Sequence, residues 1–342
     1  MPTQVIRTIL VITLAFGLLS PLLMAQEDEP GKASPGAEKS TKDDRYAVPD
    51  ADVPGLFEFI ETLKNFRPRF RAEAIAHAKQ ASAAIRAAAE KILEKETDHT
   101  SPNYKKANLI RLSVQTRELY TQSTEERNAF TQKVLKAVEG EAITREQLQL
   151  GLQTASILEQ TEENALAIKL YENLAEKAAK SSDAKFVARA EKMQGAIRRL
   201  NLVGHTMRLK GQTVAGKPFD LQTLNDKVVL VDFWATWCGP CISEIPNMRK
   251  MYAAYHEKGF EIVGVSIDDD RTALEDFLAD EKLPWIILHN EADEGKPAAA
   301  IEYGVSGIPC MILVGKSGKV INIHARGENL AELLEKELGG QK

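Results

Sequence analysis

Two cysteines three positions apart, Cys238 and Cys241, close the run Trp234-Ala235-Thr236-Trp237-Cys238-Gly239-Pro240-Cys241. Such a pair can supply half of a zinc site or cycle between dithiol and disulfide. Zinc needs a second ligand pair. The chain has three cysteines in all, the third being the isolated Cys310, and no His-x3-His spacing, so no metal and no other cofactor is expected. The surroundings favour redox chemistry. The apolar run from Val228 to Phe233 suits a buried parallel strand, and the pattern from Pro240 to about His256 is helical. The cysteines therefore fall at the first turn of a helix, where free amides and the positive end of the helix dipole stabilise a thiolate. Cys238 takes the nucleophile's role. Cys241, one turn further in, is shielded and attacks the mixed disulfide. Gly239 and Pro240 shape the turn, proline being welcome where no amide donor is needed.

The elements that hold this turn extend from about Leu202 to the C-terminus. A short hairpin is expected around 207–209 and 217–220, turning near Val214-Ala215-Gly216. Further strands are expected at Phe260 to Ile267, Trp285 to Leu288, Met311 to Val314 and Val320 to His324, with helices at Thr272 to Ala279 and Asn329 to Leu338. Strands alternating with helices and ending in a late hairpin imply a mixed α/β sheet flanked by helices. The acidic triplet Asp268-Asp269-Asp270 invites a calcium reading, but capping of the following helix is the better account.

Trp237-Cys238-Gly239-Pro240-Cys241 matches the active-site motif of thioredoxin, and the wider run Val231 to Pro246 resembles the TlpA-like exported thiol–disulfide oxidoreductases of the thioredoxin superfamily. The resemblance covers residues 202–342 and leaves the rest of the chain aside. It implies a thioredoxin fold, no cofactor, and a cis-proline loop at Gly307-Ile308-Pro309. In that family the backbone before the proline, here Ile308, pairs with the substrate chain. Trp237, Gly239, Pro240, Ile308 and Pro309 are the substrate-binding residues so implied. Asp232 falls where thioredoxin keeps a buried acid beneath the second cysteine, and Glu244 matches an acid used in TlpA-like reductases. Either carboxyl can exchange a proton with Cys241, and either can instead be a surface or capping residue. The lysine that partners thioredoxin's acid is replaced here by Gly264. Cys310 stands where the family has Thr or a small residue. It is read as a buried small hydrophobe, ahead of a resolving or glutathionylated thiol.

The remainder of the chain is of a different character. All three cysteines and all three tryptophans lie beyond residue 230. Residues 1–25 carry Arg7, an apolar run from Ile9 to Leu23 and then Ala25, the pattern of an export signal, either cleaved or kept as an anchor. Residues 26–52 are acidic and poor in large apolar side chains, which implies a disordered linker. Residues 53–201 have helical periodicity throughout, and five or six helices are expected in an all-α bundle or short solenoid. One of these starts at Ser101-Pro102 and runs as far as Val138, another starts at the Thr144–Gln147 capping-box spacing, and a last pair is broken at Ser181-Ser182. His77 and His99 stand alone there, and no catalytic constellation is visible.

The net charge of −5 and the lack of a basic stripe exclude nucleic acid as the main partner. The expected protein is thus multidomain: an exported protein-disulfide oxidoreductase active in the periplasm or another extracytoplasmic compartment, serving cell redox homeostasis. The C-G-P-C sequence goes with a low potential, about −270 mV in thioredoxin, which favours reducing protein clients. Outside the cytoplasm, such a reductant needs a membrane electron donor. Two alternatives are a peroxiredoxin-like peroxidase, whose Pro-x-x-x-Thr spacing before a single cysteine is missing, and a helical binding scaffold with an accessory redox domain. The helical part is expected to mediate protein–protein contact.

Overall fold

A computed structural model describes residues 44–289 and 298–339. The expected signal or anchor, residues 1–25, lies outside the described residues, as does most of the expected linker. The last part of that linker does not behave as one: Tyr46, Val48 and Ala51 pack against the first helical core. Among the described residues no helix is long and apolar enough to cross a membrane.

Seven α-helices occupy the segment before the redox motif: α1 (Val53–Asn65), α2 (Arg71–Lys95), α3 (Pro102–Gln115), α4 (Thr124–Ala137), α5 (Arg145–Gln160), α6 (Asn164–Ala179) and α7 (Ala184–Leu200). This exceeds the five or six expected, because the helix starting at Ser101-Pro102 stops at Gln115. A 3-10 turn follows, and Ser123 then caps α4 in a full capping box with Glu126. That Ser-x-x-Glu spacing is itself a helix-start signal. Consecutive helices pack on one another. Alanine-rich α2 lays Ala81, Ala84, Ala88 and Ala89 beside Leu56, Ile60 and Leu63 of α1, so small side chains allow a close approach. His77 is a structural residue, with its ring nitrogens bonded to the Tyr46 hydroxyl (2.9 Å) and the Leu63 carbonyl (3.1 Å).

Beyond α7 come β1 (Lys210–Gln212), β2 (Pro218–Asp220), β3 (Val228–Trp234), α8 (Gly239–Tyr255), β4 (Phe260–Ser266), α9 (Arg271–Glu281), β5 (Ile286–Leu288), α10 (Ala298–Glu302), β6 (Cys310–Val314), β7 (Val320–Asn322) and α11 (Glu328–Leu338). β1 and β2 form a hairpin, and the other strands form a five-stranded sheet in the order β5-β4-β3-β6-β7. β5, β4 and β3 are parallel, β6 runs antiparallel to β3, and β7 antiparallel to β6. All seven residues of β3 are buried, as a central strand covered on both faces requires. This is the mixed sheet flanked by helices of a thioredoxin fold.

The helical segment and the sheet do not have separate cores. One continuous apolar cluster runs from Leu112 through α4–α7 and on into the sheet as far as Leu338, and only α1–α3 keep a core of their own. The join is close. A Cβ on Gly195 of α7 would lie 2.5 Å from the Gly304 amide nitrogen and 2.9 Å from the Ile301 carbonyl oxygen. Gly304 itself has φ +54°, a region that glycine enters at little cost.

Candidate active site

β3 delivers the chain to the redox motif. After Trp234 the backbone turns through Ala235–Trp237, Cys238 caps α8, and Pro240 sits in the first helical turn. Cys238 and Cys241 are joined by a disulfide with Cα atoms 5.2 Å apart. The Cys241 amide in the first turn divides its hydrogen bond between the Cys238 carbonyl (2.9 Å) and Cys238 Sγ (3.2 Å), so the sulfur of the capping residue shares one of the helix's first N–H groups. A thiolate there would gain more from the same bond, since bonds to charged acceptors are stronger. Cys238 is 5% exposed and Cys241 1%, while Trp237 beside them is 65% exposed. Both sulfurs are thus buried in the disulfide form, Cys241 the more deeply.

The Ile308–Pro309 bond is cis. Pro309 directly precedes β6, whose Cys310 lies opposite Phe233 of β3. β6 runs antiparallel to β3, so the cis-proline enters the sheet at the end where β3 leaves for the cysteines. Gly307 and Ser306 are exposed, and Ile308 and Pro309 are half-buried.

Asp232 is 2% exposed, and its Oδ1 has no hydrogen-bond partner. Burial pushes its carboxyl up to about 8, with the negative Glu244 adding to the rise and Arg326 opposing it. Glu244, also buried, accepts from Asn247 Nδ2 (2.7 Å) and the Gly327 amide (3.0 Å), with Arg326 Nε at 3.6 Å. It therefore ties α8 to the loop before α11 while acting electrostatically on Asp232. Gly264 pairs with Asp232 across β3 and β4, at the position where thioredoxin has its lysine. A Cβ there would lie 2.9 Å from Trp234 Nε1 and from Ile287 Cδ1, so indole and isoleucine fill the space that a longer side chain would need.

Cys310 is half-buried. Burial is the main cause that pushes its thiol up to about 11, with Asp232 and Glu159 adding to the rise and Arg199 opposing it. It stays protonated at neutral pH.

Sequence reasoning missed Asp268. Of the acidic triplet that the sequence assigns to helix capping, Asp270 alone caps α9, through the Thr272 and Ala273 amides. Asp268 instead accepts from the Thr236 amide (3.0 Å), the Thr236 hydroxyl (2.6 Å) and the Ser266 hydroxyl (2.8 Å). It thereby holds the turn two residues before Cys238. The signal lay in the strand register: Trp234 pairs with Ser266, and two further steps bring Thr236 to Asp268.

The family model described as Redoxin matches residues 199–336. The chain is 35% identical over 123 residues to thiol-disulfide oxidoreductase ResA of Bacillus thuringiensis subsp. konkukian, covering 36% of this chain and 68% of that relative. It is 30% identical over 132 residues to ResA of Halalkalibacterium halodurans, covering 37% of this chain and 73% of that relative. Among solved structures, the thioredoxin domain of a thiol-disulfide oxidoreductase from Bacteroides vulgatus is 31% identical. It aligns with a TM-score of 0.37, over 40% of this chain and 97% of that one. The helical segment up to residue 198 lies outside the matched family model. Through its C-terminal domain, the part these relatives match, the chain belongs to the TlpA-like thiol-disulfide oxidoreductases of the thioredoxin superfamily.

Proposed function

We propose that this protein reduces disulfides of protein clients in an extracytoplasmic compartment, with Cys238 as nucleophile and Cys241 as resolving thiol. The observation that carries the reading is the capping position of Cys238 beside an exposed Trp237, with Cys241 buried behind it. In the dithiol form, the Cys238 thiolate attacks one sulfur of a client disulfide. A Cys238–client disulfide forms, and the client's other sulfur leaves as a thiolate that takes a proton from water. Cys241 then gives its proton to Asp232 and attacks Cys238 Sγ. The enzyme disulfide closes, the second client sulfur is released, and two electrons have passed to the client. With its carboxyl pushed up to about 8, Asp232 is mostly protonated at neutral pH, and it is its smaller carboxylate fraction that takes that proton and later returns it to solvent. A membrane dithiol donor reopens the enzyme disulfide. Export is supported by the apolar run at residues 9–23 and the polar sequence after it. The peroxidase alternative lacks support, because its chemistry starts from a single cysteine and here the two are bonded to each other.

Insulin-disulfide reduction by the full chain, compared with Cys238→Ala, tests the activity. Equal background rates for the two would defeat the proposal. Cys241→Ser, expressed with its leader, should retain client proteins as mixed disulfides on Cys238. Recovery of no disulfide-linked partner from the extracytoplasmic fraction would count against a protein substrate.

A further inference from the structure

Two consecutive arginines at the end of α7 reach into the redox domain. Arg198 Nε donates to the Glu302 carbonyl at 2.9 Å. Arg199 Nη1 donates to the carbonyls of Tyr303 (2.8 Å) and Gly304 (3.0 Å). Glu302 ends the short helix α10 and Tyr303 and Gly304 form the turn after it, where carbonyls have no partner within the helix and a cation is favoured. Arg199 is 6% exposed and is held in turn by Glu159 of α5, whose other carboxyl oxygen accepts from the Tyr171 hydroxyl of α6 at 2.6 Å. The Tyr303 hydroxyl adds a second anchor, donating to the Arg208 carbonyl at 2.8 Å.

Four residues separate Gly304 from Pro309. The far end of that loop is fixed by β6, where Cys310 pairs with Phe233. Among the described residues no strand holds the near end, which these arginines tie to α7 and the Tyr303 hydroxyl ties to Arg208. We infer that Arg199, locked by Glu159 and Tyr171, is a positioning residue that sets the cis-proline loop for docking a client chain. The helical segment is thus a built-in part of the redox site, not an appended scaffold. An arginine suits the task because its rigid planar fork holds two carbonyls on one nitrogen and a carboxylate on the other in fixed directions. This inference rests on the function proposed above.

The test uses the full chain with Arg199→Met and Tyr171→Phe, two assays and one probe of the backbone. Cysteine reactivity is read with 2-hydroxyethyl disulfide, which needs no docking loop, and client reduction with insulin. Amide hydrogen exchange is followed over residues 303–310. Arg199→Met should raise KM for insulin by about fivefold or more, leave the small-disulfide rate within about twofold, and speed exchange in the loop. Tyr171→Phe, which keeps the arginine in place, should move the same readouts in the same direction by about twofold. Unchanged insulin KM and loop exchange would overturn the inference, as would equal losses on both substrates without faster loop exchange. Should Arg199→Met fail to fold, Tyr171→Phe decides by the same readouts. A wild-type chain inactive in both assays would defeat the proposed function, while loop exchange would still decide whether the arginine holds the loop.

Discussion

Asp268 binds Thr236 twice, through its amide and its hydroxyl, and so fixes the backbone that hands the chain from β3 to Cys238. Three donors converge on one buried carboxyl, so its loss takes their acceptor from the half-buried Thr236 amide and hydroxyl and from the buried Ser266 hydroxyl. Asp268→Ala should cost about 2–4 kcal/mol of stability, read by chemical denaturation. It should also slow alkylation of reduced Cys238, because the turn that places the sulfur is no longer held. Asp268→Asn, which keeps one oxygen acceptor, should fall between the two. An alanine variant of native stability and reactivity would refute the role.

Asp232 makes stability fall as pH rises. Its folded-state pKa is raised to about 8, so the folded chain keeps a proton that the unfolded chain releases near pH 4. The stability it contributes is complete below the unfolded value and is lost as pH rises through the folded one. Across that window one proton corresponds to a slope of about −1.4 kcal/mol per pH unit. Asp232→Asn should remove this component, visible as a flatter stability profile between about pH 4 and 8. The same variant should remove a titration near 8 from the pH profile of insulin reduction.

Cys310 should take no part in catalysis. Its thiol, pushed up to about 11, offers little thiolate at neutral pH. In the reduced protein, iodoacetamide should label Cys238 at least about tenfold faster than Cys310, as mass spectrometry of tryptic peptides would show. Cys310→Ala should reduce insulin within about twofold of the wild-type rate, a larger loss pointing to a resolving role.

Gly195 should reverse the usual rule for helices. Replacing a mid-helix glycine with alanine ordinarily gains about 1 kcal/mol. Here the new methyl would meet the Gly304 backbone at 2.5 Å, and a backbone cannot rotate out of the way. Gly195→Ala should therefore lose about 1–3 kcal/mol overall in a denaturant titration. A stabilised variant would show that α7 and the redox domain can separate freely.

The sequence by itself determined the redox half. Cys238 and Cys241 mark a helix start after an apolar run, Pro309 marks the loop beside it, and alternating periodicities lay out the sheet. These are local signals, written in neighbouring residues and in strand and helix periods. It also determined that the earlier half is helical, although the Ser123–Glu126 box that begins α4 lies inside what periodicity reads as one helix from Ser101 to Val138. Tertiary structure alone decided what depends on distant pairs. Asp268 reached Thr236 through the register of two parallel strands, 32 positions apart. Arg199 reached Tyr303 across 104 positions. Trp234 and Ile287 proved to fill the space over Gly264, which the resemblance already set beside Asp232. The apparent boundary near residue 202 disappeared into one shared core, because a helical face reads the same in sequence whether it packs on its own helices or on a neighbouring sheet.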